Sequence, residues 1–140
     1  MQVAGKELGM EMAEKGQLTC LIVDDSAFMR FRLRRMMDSF ENVIASEAAN
    51  GNEAIMEYRR LRPDIVLMDI VMPGMEGVET LRQICEADSS ARVIMISSVS
   101  YREKVEEAMA AGAKYFIPKP VTTQALKEAI DTVLREKVSV

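Results

Sequence analysis

The stretch TCLIVDDSAFMR, from Thr19 to Arg30, decides how the fold is interpreted. An apolar, β-branched run ends in two adjacent carboxylates, Asp24 and Asp25, and a helical pattern follows at once. Apolar residues recurring at spacings of three and four predict a helix from about Ser26 to Phe40. A buried strand that passes directly into a helix is the first half of a βα unit.

The same unit recurs four more times along the chain. The apolar runs VIASEAA, DIVLMDI, RVIMISS and KYFIP each precede a segment with helical periodicity. Pro63 is predicted to end the second helix, because proline has no amide hydrogen to continue the ladder. Apolar strands separated by helices are buried on both faces, which predicts a doubly wound α/β fold with a parallel sheet.

Length and composition limit the function classes. The 140 residues, of which 49% are hydrophobic and 29% charged, suit one domain with one core. A net charge of −4 without a cationic block argues against a nucleic-acid partner, and no apolar run reaches the ~18 residues of a membrane span. The absence of histidine excludes the usual zinc sites and serine-triad catalysis. We therefore expect a cytoplasmic protein without a nucleic-acid or membrane partner.

Polar residues mark the ends of four predicted strands: Asp24 with Asp25, then Asp69, Ser97 and Lys119. These side chains are expected to converge, because parallel strands end at one edge of the sheet. Three carboxylates there repel one another unless a hard divalent cation neutralises them, and Mg²⁺ prefers such oxygen ligands. A carboxylate beside Mg²⁺ can attack phosphorus, while an ammonium and a hydroxyl contact the phosphoryl oxygens. The residue set therefore predicts phosphoryl transfer.

Each of these residues also has a structural alternative. Asp24, Asp25 and Ser26 could simply cap the following helix. Lys119 before Pro120 could be a solvated turn residue, although a bond before proline can also be cis. Asp69 is the hardest to explain structurally, because an unpaired carboxylate in a buried strand is costly.

The runs LIVDDSAFMR, PDIVLMDIVMPGMEG, VIMISS and AGAKYFIPKP together resemble the CheY-like receiver domain of two-component response regulators. The resemblance covers about residues 19–138 and implies a receiver domain over residues 18–140, after a flexible N-terminal extension at residues 1–17. It also implies a flavodoxin-like sheet of five parallel strands in the order 2-1-3-4-5, with five helices. Pro118 agrees with an edge position for the fifth strand, where a missing amide hydrogen is tolerated.

The resemblance implies a role for each acidic position. Asp69 would be the phosphoacceptor. Asp24 and Asp25 would bind Mg²⁺, for which Mn²⁺ could substitute, together with Asp69 and the backbone carbonyl of Val71. Lys119 would pair with the phosphoryl group.

Switch residues and departures from the family pattern follow from the same resemblance. Ser97 would bond a phosphoryl oxygen, and Phe116 would turn inward as the aromatic switch residue. The Lys119–Pro120 bond would be cis. Phe116 replaces the Tyr often found in the family, so a switch here cannot use a phenol hydrogen bond. Val71 and Val99 are apolar at positions where polar side chains can orient the attacking water, which predicts slow spontaneous dephosphorylation.

The implied function is a stand-alone signalling protein that catalyses its own phosphorylation and dephosphorylation. A CheA-like sensor histidine kinase would supply the phosphoryl group, and the output would be phosphorylation-dependent binding to a target such as a flagellar motor switch component, in chemotaxis or motility. The fourth helix, fifth strand and fifth helix would form the output surface. Phe28 and Phe31, which lie among arginines off the main apolar stripe of the first helix, are candidates for the kinase contact, and packing against a neighbouring helix is the alternative.

Rival functions remain open. Within the family, the chain could be a phosphorelay intermediate or a phosphate sink without a dedicated output. A Mg²⁺-dependent phosphatase with an Asp nucleophile would normally carry a second Asp where Val71 stands. A flavodoxin-like cofactor binder would need a phosphate-binding loop rich in small residues, where DDSAFMR offers carboxylates instead.

Overall fold

The computed structural model describes residues 17–72, 77–98 and 102–138. Within these residues, strands and helices alternate along the chain. The strands are β1 (Leu18–Val23), β2 (Val43–Ala48), β3 (Ile65–Asp69), β4 (Val93–Ser97) and β5 (Tyr115–Pro118). The helices are α1 (Ala27–Met37), α2 (Gly51–Leu61), α3 (Gly77–Ala87), α4 (Arg102–Ala111) and α5 (Thr123–Val138). The expected extension at residues 1–17 lies outside the described residues except for Gln17.

The five strands form one parallel sheet in the order β2-β1-β3-β4-β5, which confirms the predicted doubly wound α/β fold. From β1 the chain first builds outward to β2 and then crosses to β3 on the other side. The order therefore reverses between β1 and β3, and the crevice beyond their carboxyl ends is where sheets of this type bind ligands. Pro118 lies in β5 at the sheet edge, as predicted.

Two separate cores cover the two faces of the sheet. Face one, as we call it, is covered by α2, α3 and α4, which contribute buried residues including Tyr58, Leu81 and Ala108. Face two is covered by α1 and α5, which contribute Leu33, Met37, Leu126 and Val133. Successive strand residues alternate between these cores, since side chains along a strand point to opposite faces. Within the described helices, none combines the length and apolarity that a membrane span requires.

The burial of the strands differs from the prediction at both edges of the sheet. β1, β3 and β4 are almost completely buried, but β2 alternates between partly buried and exposed residues, and Ile44 is 46% exposed. β2 pairs only with β1, so it lies at the edge of the sheet where helices cover less of each face. The expectation that every strand is buried on both faces is therefore wrong for β2, and also for β5, where only Ile117 is buried and Pro118 is exposed. The helix predicted to reach Phe40 ends at Met37, and Phe40 still packs against the core of face two.

Candidate functional site

Four polar residues named from the sequence lie at the carboxyl ends of neighbouring strands. Asp69 is the last residue of β3 and Ser97 the last of β4, while Asp24 and Lys119 directly follow β1 and β5. The strand register pairs Asp69 with the residue before Ser97, so these two side chains leave adjacent strands at nearly the same level. The fold therefore brings residues from the whole length of the chain to one edge of the sheet.

Three carboxylates form a compact cluster at this edge. One carboxylate oxygen from each of Asp24, Asp25 and Asp69 lies within 4.8 Å of the others. Asp24 and Asp69 are only 2% and 8% exposed, whereas Asp25 is exposed. The cluster thus combines two buried oxygen donors with one that faces water.

Local hydrogen bonds orient Asp24 within the turn that leads into α1. Its carboxylate Oδ1 accepts from the backbone N–H of Ser26 at 2.8 Å. Ser26 in turn caps α1, because its hydroxyl accepts from the backbone N–H of Met29 at 3.1 Å. The helix cap is therefore supplied by the serine, and the second carboxylate oxygen of Asp24 faces the cluster, where Nζ of Lys119 lies 3.9 Å away.

Lys119 brings a positive charge into the cluster. Its Nζ lies 3.6 Å from Asp69 Oδ2, and its side chain is 31% exposed. The backbone N–H of Lys119 donates to the carbonyl oxygen of Ser97 at 2.8 Å, and the Lys119–Pro120 bond is cis. Lys119 is thus held against the carboxylates and is not the solvated turn residue of the structural alternative.

The electrostatics of the cluster favour the addition of a cation. Burial raises the pKa of Asp69 above its ordinary value, and the neighbouring Asp24 adds to the rise, while Lys119 opposes it. Burial also raises the pKa of Asp24, against the hydrogen bond from Ser26 and the charge of Lys119. One ammonium faces three carboxylates, so a divalent cation would relieve the remaining repulsion. Carboxylate oxygens without nitrogen or sulfur donors suit Mg²⁺, and the residues present fit this ion.

Ser97 and Phe116 lie on face one of the sheet. Ser97 is 2% exposed, and Phe116 is half-buried and packs against the core of face one. Phe116 pairs in the sheet with Met95, two residues before Ser97, and Met95 belongs to the same core. Because side chains two residues apart share a face, Ser97 also lies on face one.

Of the two valines singled out from the sequence, Val71 and Val99, the structure describes Val71. Val71 is 42% exposed, and its backbone N–H donates to Asp69 Oδ1 at 3.4 Å. Its backbone is therefore close to the acidic cluster. Val99, the other apolar position that the sequence singles out, lies outside the described residues.

Gly77 supports the site and was not identified from the sequence. It is the first residue of α3, and its N–H donates to the carbonyl oxygen of Ile70 at 2.7 Å. A Cβ at this position would lie 2.2 Å from the carbonyl oxygen of Asp69. Glycine is therefore required for α3 to begin against the end of β3. The only signal in the sequence was the second glycine of PGMEG.

The exposed face of α1 carries the two aromatic residues singled out from the sequence. Phe28 is 67% exposed and Phe31 is 56% exposed. The guanidinium carbon of Arg35 lies 5.7 Å from the ring centroid of Phe31, within the range of a cation–π contact. Most of each ring is therefore exposed.

Comparisons with known proteins add an independent observation. The family model for the response regulator receiver domain matches residues 20–131. The chain is 43% identical over 113 residues to the chemotaxis protein CheY of Thermotoga maritima. This alignment covers 81% of the chain and 94% of that protein. It is 45% identical over 114 residues to the chemotaxis protein CheY of Halobacterium salinarum, with 81% and 94% covered.

A solved structure agrees with these sequence relatives. The CheX–CheY–BeF3–Mg²⁺ complex from Borrelia burgdorferi contains a chain that superposes with a TM-score of 0.79 at 38% identity. The alignment covers 86% of this chain and 92% of that chain.

Proposed function

Because the chain belongs to the response regulator receiver family, with chemotaxis-type CheY relatives, we propose that it accepts a phosphoryl group on Asp69 in a Mg²⁺-dependent reaction. Its output is phosphorylation-dependent binding to another protein in the cytoplasm. The observation that carries the proposal is the cluster of Asp24, Asp25 and Asp69, whose carboxylate oxygens lie within 4.8 Å of one another beside Lys119. This arrangement of oxygen ligands, nucleophile and cation is what phosphoryl transfer to a carboxylate needs.

The transfer step uses a carboxylate oxygen of Asp69. This oxygen attacks the phosphorus of a phosphohistidine on a sensor histidine kinase, so a P–O bond forms and the P–N bond breaks. The imidazole nitrogen keeps the electron pair and takes up a proton. Lys119, whose Nζ lies 3.6 Å from Asp69 Oδ2, offers its ammonium to the arriving phosphoryl oxygens. The product is an acyl phosphate on the end of β3.

The metal site consists of Asp24, Asp25, Asp69 and the backbone carbonyl of Val71. When bound there, Mg²⁺ supplies positive charge that offsets both the carboxylates and the phosphoryl oxygens. Mn²⁺ prefers similar oxygen ligands and is a substitute. Exposed Asp25 gives the site an opening toward water, and buried Asp24 gives it a fixed ligand.

Ser97 and Phe116 provide the response to phosphorylation. The Ser97 hydroxyl donates to a phosphoryl oxygen, which draws the end of β4 toward Asp69. Phe116 packs on the same face of the sheet and adjusts to that movement. The half-buried position of Phe116 supports this role, because a partly exposed ring can turn inward without first leaving a closed core.

Two surfaces serve the protein partners. The exposed aromatic residues of α1, Phe28 and Phe31, contact the kinase, which is of the CheA type. The surface formed by α4, β5 and α5 contacts the downstream target, of which a flagellar motor switch component is one example. The Borrelia complex, in which a CheY relative is bound to CheX, supports the expectation that a protein of this type binds other proteins.

The phosphatase alternative fits the site less well. A phosphatase with an Asp nucleophile needs a second carboxylate close to the first, to move a proton for the leaving group and the attacking water. The side chain two residues after Asp69 is the apolar Val71, which is 42% exposed. We therefore expect no turnover of phosphomonoesters.

The test is intact-protein mass spectrometry after incubation with acetyl phosphate and Mg²⁺. Wild type is expected to gain about 80 Da, the mass of one phosphoryl group on an aspartyl nucleophile. The gain should require Mg²⁺, disappear in Asp69→Asn, and be lost on hydroxylamine treatment, which cleaves acyl phosphates.

A matched control comes from the other end of the same strand. Asp64 directly precedes β3, is 6% exposed, and accepts from the N–H and hydroxyl of Thr19 at 2.8 and 3.0 Å. Asp64→Asn should therefore still gain the phosphoryl mass. A wild type that binds Mg²⁺ but gains no mass from acetyl phosphate or from a histidine kinase would overturn the proposed function.

A further inference from the structure

Arg30 connects the turn that contains Asp24 and Asp25, which we call the acidic turn, to the neighbouring strand of the sheet. Its Nη1 donates to the backbone carbonyl oxygen of Asp24 at 2.7 Å, and its Nε donates to Glu47 Oε1 at 2.9 Å. Glu47 lies in β2, on the far side of β1 from Asp69. The guanidinium therefore connects the start of α1, the end of β1 and the neighbouring edge strand.

Glu47 has a second arginine partner that does not extend to the acidic turn. Arg34, one turn further along α1, donates through Nε to Glu47 Oε2 at 2.7 Å. The hydrogen bonds from Arg34 and Arg30 lower the pKa of Glu47, so the carboxylate is charged at neutral pH. Arg30 and Arg34 thus share one anchor on β2, and Arg30 is the one of the two that also donates to Asp24.

The carbonyl oxygen held by Arg30 belongs to the peptide group between Asp24 and Asp25. Fixing this oxygen limits the rotation of that peptide plane, and hence the relative directions of the two carboxylates. Two other bonds fix Asp24 on the preceding side: its N–H donates to the carbonyl of Ala48 at 3.2 Å, and its Oδ1 accepts from Ser26. The hydrogen bond from Arg30 to the carbonyl oxygen of Asp24 adds a restraint on the side of the peptide that faces Asp25.

We infer that Arg30 and Glu47 are positioning residues for the divalent cation, acting by holding the peptide between Asp24 and Asp25. The inference rests on the proposed metal site. Arg30 does not touch the ion, and Glu47 acts through Arg30. The fork geometry of the guanidinium suits this task, because a single side chain donates in two directions from a rigid plane.

Simple electrostatics predicts the opposite effect, which makes the inference testable. A positive charge close to an acidic cluster repels a divalent cation, and the Arg30 guanidinium lies 2.7 Å from the carbonyl oxygen of Asp24. If Arg30 contributed only its charge, then its removal would strengthen Mg²⁺ binding. If it positions the ligands, then its removal weakens Mg²⁺ binding. The direction of the change separates the two roles.

The experiment is calorimetric titration of the full chain with Mg²⁺ alone. Arg30→Gln and Glu47→Ala are each expected to weaken Mg²⁺ binding by about tenfold, the lower end of the range for residues that orient metal ligands. Arg30→Lys should resemble Arg30→Gln, because lysine keeps the charge but replaces the rigid planar fork of the guanidinium with one compact ammonium. Arg34→Gln is the matched control and should bind Mg²⁺ like wild type, since Arg34 shares Glu47 without the bond to Asp24.

Two further measurements separate positioning from general damage. The rate of phosphoryl uptake from acetyl phosphate should need a higher Mg²⁺ concentration in Arg30→Gln, but reach the wild-type rate at saturation. The double variant Arg30→Gln with Glu47→Ala should bind Mg²⁺ no more weakly than Arg30→Gln alone, because the two residues act in series. Circular dichroism confirms the fold of each variant.

Each outcome has a distinct meaning. Mg²⁺ binding by Arg30→Gln that is as tight as in wild type, or tighter, overturns the inference. An equal loss in Arg34→Gln also overturns it, because the effect would then belong to the Glu47 charge and not to the bond with Asp24. A wild type that binds no Mg²⁺ overturns the inference and the metal site together. A wild type that binds Mg²⁺ but takes up no phosphoryl group leaves the inference intact and overturns the proposed function alone.

Discussion

The ammonium nitrogen of Lys119 lies 3.6 Å from Oδ2 of Asp69, although β4 separates the strands from which the two residues come. The same nitrogen lies 3.9 Å from Asp24, beyond β3. One cation thus faces carboxylates from two strands. It does not offset the desolvation of Asp69, whose pKa stays above the ordinary value. The site is therefore a source of instability until another cation or a change in charge relieves it.

Removing the Asp69 charge should stabilise the protein when Mg²⁺ is absent. Because the folded-state pKa of Asp69 is raised above 3.8, the folded protein holds this proton more tightly than the unfolded chain does. Stability is therefore lost as the pH rises from the unfolded pKa through the folded pKa. Asp69→Asn should raise the free energy of unfolding by roughly 1 kcal/mol at neutral pH, and the gain should shrink as the pH is lowered toward 3.8. Urea titration in EDTA measures this, and a variant less stable than wild type at neutral pH would contradict it.

The hydrogen bond between Tyr58 and Asp88 should stabilise the protein in a pH-dependent way. The hydroxyl of Tyr58 donates to Asp88 Oδ2 at 2.7 Å, and bonds from Ser90 and Tyr58 hold the pKa of Asp88 below its usual value of 3.8. The associated stability is present above the unfolded pKa and is lost as the pH falls through the lower folded pKa. Tyr58→Phe should cost about 1 kcal/mol at neutral pH and less in acid.

Urea titration of each variant at neutral and acid pH measures this change in the free energy of unfolding. Arg62 provides the control. It also contacts Asp88 Oδ2, at 3.2 Å, but its side chain is 62% exposed. Arg62→Gln should therefore change the free energy of unfolding by less than about 0.5 kcal/mol. Equal effects of Tyr58→Phe and Arg62→Gln would show that the charge of Asp88, and not its buried hydrogen bond, provides the stability.

Gly77→Ala should damage both stability and phosphoryl uptake. The new Cβ would lie 2.2 Å from the carbonyl oxygen of Asp69, so the end of β3 or the start of α3 must move. We expect a loss of about 2–3 kcal/mol in unfolding free energy and slower uptake from acetyl phosphate. Gly112→Ala is the control. An alanine at this position would be strained, because φ is 123° and its Cβ would lie 2.8 Å from Cys85 Sγ. Gly112 directly follows α4 and does not contact the end of β3 as Gly77 does. This variant should lose stability and keep the wild-type uptake rate, and equal uptake by both variants would refute a specific role for Gly77.

Phe31→Ala should slow phosphoryl transfer from the histidine kinase but not from acetyl phosphate. Phe31 is 56% exposed and lies beside Arg35 on the outer face of α1, so it can contact a large donor without touching the reacting atoms. We expect at least a tenfold loss in the kinase reaction, the size typical of an aromatic residue that anchors an interface. Met56, 65% exposed on α2, supplies the control variant Met56→Ala. Normal kinase transfer to Phe31→Ala would remove Phe31 from the interface.

Much of the architecture could be predicted because each strand signals itself locally. The runs around Leu21, Leu67 and Ile94 are apolar throughout, and this composition is typical of strands covered on both faces. The convergence of Asp24 and Asp69 also followed from local information, since parallel strands place their carboxyl ends together. The strand order itself came from the family resemblance, because no residue pattern states which strands are neighbours.

The remaining features depend on contacts between distant segments. Arg30 is one arginine among several in α1, and only its distances to Glu47 and Asp24 distinguish it from Arg34. Gly77 is required by the approach of two backbones, which composition does not report. The exposure of β2 reflects its place at the edge of the sheet. In each case the missing information is a tertiary distance.

The alternation of side chains between two cores divides the protein along the plane of its sheet. Asp69 follows Met68 of face one, so it leaves β3 on the side of face two, whereas Ser97 and Phe116 belong with face one. The proposed phosphoacceptor Asp69 and the proposed switch residue Phe116 therefore lie on opposite faces of the sheet. Under the proposed function, mutations beneath α1 and α5 should alter phosphoryl transfer while the packing under α4 stays constant, and the reverse should also hold. In the proposed function, the surface that binds the target can therefore change during evolution while the phosphoryl-transfer site stays the same.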